Sequence, residues 1–224
     1  MEKKLVFDSS ALISLSETCN AGALQYIKRR LGTRFMAPRP VFEESVGTPS
    51  KIKKYGFSAL RIKRLFDEGV IEVPEAETDS LAVEVMGYGN SLLSSGKRPL
   101  KLIHYGEAAC LALMIKTGCR HLAVDEKTLR LLAEAPHKMV KLLQPEYSEQ
   151  LVENQQALEK WREKTKGMKV IRSAEILAVA AEQGFFKPFG KDEGRALHAA
   201  VYALRNAGCS LTSRELAAYE QIRI

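Results

Sequence analysis

The chain has 224 residues, of which 46% are apolar and 27% charged. That length suits one large domain, or one domain with an appendix, and the apolar content excludes an intrinsically disordered chain. The net charge of +7 points mildly to a polyanionic partner. No run of 18 apolar residues occurs, so no transmembrane helix is expected, and the apolar stretch after Met1-Glu2-Lys3-Lys4 is too short for a signal peptide.

Leu5-Val6-Phe7 reads as a short strand that stops at Asp8. Ser9 and Ser10 open a long helical pattern (Leu12, Ile13, Leu15, Ala23, Leu24, Ile27) that Gly32 closes. Residues 34–37 form a second strand candidate, broken by Pro38 and Pro40, and residues 41–46 a short helix. A helix is expected over 58–68 and a third strand over 70–73. Residues 75–99 hold a helical pattern around Ala82–Met86 and a loop rich in serine, glycine and basic residues. A helix over 105–117 ends at Gly118, and His121-Leu122-Ala123-Val124 is a fourth strand that again stops at an aspartate, Asp125. A helix over 127–135 and a fifth strand over 138–143 complete this part.

Strands alternating with helices predict an α/β fold, a parallel sheet of four or five strands sandwiched by helices. After Pro145 the pattern turns helical, over 146–165, 173–184, 192–207 and 213–222, so residues 146–224 are expected to be an all-helical extension of a domain spanning 1–145. The four cysteines (Cys19, Cys110, Cys119, Cys209) form no Cys-x-x-Cys pair and read as small apolar core residues in a reducing cytoplasm. Charge is uneven. Lys51, Lys53, Lys54, Arg61, Lys63 and Arg64 occur in a stretch without acids, and residues 160–172 form a second basic run with only Glu163 against it. Such clusters bind phosphates by counterion release or serve as solvated faces.

Open parallel sheets bind ligands beyond the carboxyl ends of their strands. Asp8 and Asp125 both follow strands and, if the strands are parallel, emerge on one edge; alternatively each caps the next helix. Glu44, on the short helix, and Glu107, in the first turn of the helix over 105–117, can join them. Four converging carboxylates repel one another without a cation, and hard oxygen donors suit Mg²⁺ or Mn²⁺.

The segments Leu5-Val6-Phe7-Asp8-Ser9-Ser10-Ala11-Leu12-Ile13, Pro40-Val41-Phe42-Glu43-Glu44-Ser45-Val46, Gly106-Glu107-Ala108-Ala109-Cys110-Leu111-Ala112 and Leu122-Ala123-Val124-Asp125-Glu126-Lys127 resemble, in order and spacing, the PIN domain family of metal-dependent ribonucleases. The resemblance covers about residues 3–145. It implies a metal site of Asp8, Glu44, Glu107 and Asp125, with Glu43 an alternative to Glu44, and supporting roles for Ser10 and Glu126. It implies hydrolysis of RNA phosphodiester bonds with Mg²⁺ or Mn²⁺; the acid-free stretch from Lys51 to Arg64 is then expected to hold the RNA backbone, and the cysteine usage points to the cytoplasm. The competing expectation is a PIN-fold RNA- or protein-binding module with little catalysis. The tail leaves open a homodimer or a protein partner on its helices, and small PIN ribonuclease toxins lack such a tail.

Overall fold

A computed structural model describes residues 3–222. In chain order the elements are β1 (Lys4–Phe7), α1 (Ser9–Glu17), α2 (Gly22–Leu31), β2 (Arg34–Met36), α3 (Arg39–Phe42), α4 (Lys53–Asp67), β3 (Ile71–Glu72), α5 (Asp79–Asn90), β4 (Leu93–Ser95), β5 (Arg98–Pro99), α6 (Tyr105–Thr117), β6 (His121–Ala123), α7 (Lys127–Glu134), α8 (Met139–Leu143), β7 (Leu151–Glu153), α9 (Gln155–Thr165), β8 (Lys169–Ile171), α10 (Ser173–Glu182), α11 (Glu193–Asn206) and α12 (Ser213–Tyr219).

Leu5, Val6 and Phe7 are apolar on both faces of the strand, as a strand covered on both sides requires, and β1 lies in the middle of a five-stranded sheet. The order is β3-β2-β1-β6-β8, and every pairing is parallel. α1, α2 and α10 pack together, as do α5, α6 and α9. α6 carries apolar side chains all round and is buried from Ala108 to Met114, the pattern of a helix enclosed by sheet and helices. Parallel strands joined by helices accord with the α/β expectation.

Several elements depart from the sequence reading. The long first helix breaks after Glu17, where Cys19 takes a left-handed conformation (φ 60°) and the Asn20 amide donates to the Thr18 carbonyl. Cys19 is also exposed, whereas Cys110, Cys119 and Cys209 are buried as expected. The loop before Leu100 contains a hairpin, β4–β5, with Gly96 at a positive φ of 56° in its turn. Residues 138–143 are helical, not a strand: Met139 turns inward while Lys138 and Lys141, three apart, stay in water.

The largest correction concerns residues 146–224, which are not all helical. β8 lies in this part and supplies the fifth strand of the central sheet, and β7 pairs with β4 in a small antiparallel sheet. β8 has three residues and lies inside the basic run over 160–172, so its apolar pair, Val170-Ile171, is too short to stand out as a strand; lysine on an edge strand is the usual guard against further pairing. The junction is tied by Arg172, whose guanidinium donates to the Ser210 carbonyl and to Glu175 and Glu215.

Trp161 on α9 is fully buried. Its indole N–H donates to the Leu132 carbonyl at 2.8 Å, and its ring lies 3.0 Å from where a Cβ on Gly89 of α5 would sit. It therefore anchors the later part of the chain to α5 and α7. Trp161→Ala is expected to lower the unfolding free energy by ~3–5 kcal/mol. Because β8 completes the sheet, chemical denaturation followed by far-UV circular dichroism should show one transition in both proteins.

Candidate functional site

The chain leaves β1 toward β2 and β3 on one side, then returns to build β6 and β8 on the other. The strand order therefore reverses between β1 and β6, and crevices at such switch points, beyond the carboxyl ends of the strands, are where open sheets take ligands. Asp8 stands there: its N–H donates to the Ala123 carbonyl at the end of β6 at 2.9 Å.

Asp8 is the N-cap of α1. Its Oδ2 accepts from the Ser10 N–H at 2.9 Å and the Ser10 hydroxyl at 2.6 Å. Burial raises the Asp8 pKa; the Ser10 hydrogen bonds oppose this and the charge of Glu44 adds to it. Ser10 Oγ also accepts from the Asp125 N–H at 3.0 Å, so one hydroxyl fixes the first aspartate against the strand end that carries the second.

Glu43 and Glu44 follow α3 in a single π-helical turn, Glu43–Gly47, a local widening that is common at functional sites. The turn separates their directions. Glu43 pairs with Arg39 at 2.9 Å, and Glu44 Oε2 accepts from the Ser9 hydroxyl at 3.1 Å. Glu44 also lies over the start of α6, where a Cβ on Gly106 would come within 2.6 Å of its Oε1. Glycine at 106 thus gives the carboxylate its room. Of the two candidates, Glu44 is the one brought to the other acids.

Glu107 lies in the first turn of α6, and its Oε2 accepts from the His104 N–H at 2.6 Å. Burial, and then the charges of Asp8, Glu126 and Glu44, push its carboxyl up to about 7 against the pull of that hydrogen bond. Beneath the acids Cys110 is fully buried, and burial together with Asp8, Glu44 and Glu107 holds its thiol well above its ordinary value, so it is neutral.

The two acids after β6 separate. Asp125 is 1% exposed and both of its oxygens are taken at the start of α10: Oδ1 by the Ser173 N–H at 2.8 Å, Oδ2 by the Ser173 hydroxyl at 2.6 Å. Glu126 is exposed, caps α7 through the Leu129 N–H, and acts electrostatically on Glu107. Asp8, Glu44, Glu107 and Glu126 thus share one electrostatic neighbourhood, while Asp125 is engaged beside it. Ser173 has no signal in the sequence that ties it to Asp125, because the short strand before it was not legible; Ser9 and Gly106 lie inside motifs already singled out.

Among the described residues none of these five acids is ion-paired. The donors are all hard oxygens, the chemistry of Mg²⁺ or Mn²⁺ sites. As placed, however, no group of three His, Cys, Asp or Glu side chains among the described residues is close enough to hold an ion. The donor set fits such a cation in kind, and the carboxylates stand apart from chelating distance.

The basic segment lies on and just before α4, which packs against α1 and against the turn that bears Glu44. Lys51, Lys53 and Lys54 are exposed. Lys63 and Arg64 pair with Asp67 and Glu68 one helical turn on, and Arg61 lies over the Phe57 ring at 4.6 Å. The charge that is not ion-paired is therefore at the amino end of α4. No helix among the described residues is long and apolar enough to cross a membrane. No family model, curated protein or solved structure matches the chain.

Glu107 yields a pH test. Its folded pKa, about 7, lies above the ordinary value of 4.5, so the folded state holds the proton more tightly than the unfolded chain. Stability is then expected to fall as pH rises from about 4.5 to about 7 in the absence of divalent cations, and the raised Asp8 acts in the same sense. Glu215, held down at about 2 by Thr212 and Arg172 despite its burial, acts below that window. Urea titrations across the window should show a smaller pH slope for Glu107→Gln than for the wild type.

Proposed function

We propose that the chain is a metal-dependent endoribonuclease of PIN-domain type that hydrolyses RNA phosphodiester bonds with Mg²⁺ or Mn²⁺. The observation that carries this reading is the gathering of Asp8, Glu44, Glu107 and Glu126, with no ion-paired basic partner among the described residues, at the point where the strand order reverses. Burial and neighbouring acids that raise the pKa of Asp8 and Glu107 cost stability, and a divalent cation is the simplest agent that reverses the cost.

In this reading Asp8, Glu44 and Glu107 are the donors. Asp125 joins them only by releasing Ser173, and Glu126 is the exposed fourth acid. The cation, when bound, supplies Lewis acidity, neutralising phosphate charge and lowering the pKa of water. The chain's own residues do the positioning. Ser10 aims Asp8, Gly106 leaves space for Glu44, and the His104 N–H orients Glu107. Lys51, Lys53 and Lys54 bind the RNA backbone beside the acids; Arg61, Lys63 and Arg64, engaged with their own helix, contribute less.

Asp8→Asn keeps the cap, since an amide oxygen also accepts from Ser10, and removes one charge. Cleavage of end-labelled RNA in Mn²⁺ or Mg²⁺ is expected to fall on the order of 10²–10³-fold in this variant, with folding retained, and to stop in chelator for the wild type. Equal cleavage by both proteins, or cleavage that survives chelation, overturns the mechanism. The separation of the carboxylates favours a second reading, an RNA-binding module without turnover. RNA binding with no cleavage under any of these conditions selects it.

The basic segment is tested separately. Lys53→Glu combined with Lys54→Glu should weaken binding to single-stranded RNA and reduce the log–log salt slope by ~0.7 per lost phosphate contact. An unchanged slope would make the segment a solvated face only.

A further inference from the structure

At the opposite end of the sheet from the acids, the helical cover is incomplete. α2 and α10 are joined where the Tyr26 hydroxyl donates to the Gln183 carbonyl and the Tyr26 and Phe185 rings meet edge to face. Beside that junction they leave a cleft of about 680 Å³ above the amino-terminal half of the sheet. Parallel sheets ordinarily have both faces covered, and the side chains at the base of the cleft do stay covered (Leu5 6% and Phe35 1% exposed), so the apolar surface open in it is that of Leu31, Ile171 and Val179.

The cleft has two chemical halves. Its floor and walls are apolar, with Leu5 and Phe35 from the sheet, Ile27 from α2, and Ile176 and Val179 from α10. Val179 is 37% exposed although it lies on this inner side. The mouth is basic: Lys3 and Arg120 flank it, both exposed, and neither is ion-paired among the described residues. Among the described residues no aspartate or glutamate lines the cleft. Its volume is within the ~300–1,000 Å³ usual for small-molecule sites, which are mostly apolar with a few placed polar groups.

We infer that this cleft is a binding site for a small amphipathic carboxylate, a hydrocarbon chain carrying one anionic head. The chain lies against Leu31, Ile171 and Val179, and the carboxylate meets Arg120 and Lys3 at the mouth. A purely polar anion leaves the apolar floor unused, and a neutral hydrocarbon leaves the two cations unused. A guanidinium is the side chain best shaped to receive a carboxylate in two parallel hydrogen bonds. The site is separate from the acidic crevice, so the inference stands whether or not the chain cleaves RNA.

The test is calorimetric titration of the full chain with decanoate below its aggregation limit, beside decan-1-ol and acetate. Saturable 1:1 binding of decanoate is expected, with decan-1-ol weaker by about tenfold or more and acetate silent. Arg120→Glu should weaken decanoate and leave decan-1-ol unchanged. Val179→Trp, which fills the cleft from an already half-exposed position, should weaken both; circular dichroism checks that each variant folds. The inference fails if decanoate does not saturate, if decanoate and decan-1-ol bind equally, if neither variant alters decanoate, or if only lipid vesicles bind.

Discussion

Asp125 is a carboxylate removed from water, and four polar atoms of this residue are bound to other segments. Its oxygens hold Ser173, its N–H is held by Ser10, and its carbonyl accepts from the Ser210 N–H. A buried charge is tolerable only where hydrogen bonds replace its hydration, so these contacts are obligatory together. They join the start of α1, the end of β6, the start of α10 and the loop after α11. Ser10 then fixes Asp8, so the placement of the first acid depends on a region beginning more than a hundred residues later. Arg172 closes the same seam from outside by linking Ser210, Glu175 and Glu215.

The acids around Asp8 show the opposite economy. Asp125 is satisfied, whereas Glu107 and Asp8 are left with raised pKa values by burial and by like charges. Unfavourable electrostatics stored in a crevice at a strand-order switch are what the proposed cation would relieve. The helix α4, whose amino end carries the lysines that are not ion-paired, packs against the turn that bears Glu44, and no ion pair joins the two signs among the described residues.

Much of this was legible in the chain. Leu5-Val6-Phe7-Asp8 reads correctly because a fully buried strand must be apolar on both faces and its stop must cap a helix. The place of Glu107 in the first turn of its helix reads correctly because Gly118 and the apolar run fix that helix. What failed was short or polar. β8 has three residues and sits among lysines, so its place in the sheet is set by pairing with β6 and not by its own composition. Residues 138–143 carry apolar side chains that satisfy a helix as well as a strand, and without β8 they filled the vacant place. The roles of Asp125 and Glu126 were not separable, because two adjacent acids after a strand look alike until the partner of one, Ser173, is known.

The late position of β8 has a consequence for the growing chain. A nascent polypeptide made only as far as α9 holds β1, β2, β3 and β6, but β6 is then an outer strand with open backbone groups, and Asp125 has no Ser173. Each condition disfavours a settled fold: the first offers a template for wrong pairing, and the second leaves a carboxylate without the bonds that let it be buried. Translation must pass Ser173 before either is relieved, so the acids at the end of β1 are set in place only when the last third of the chain is emerging from the ribosome.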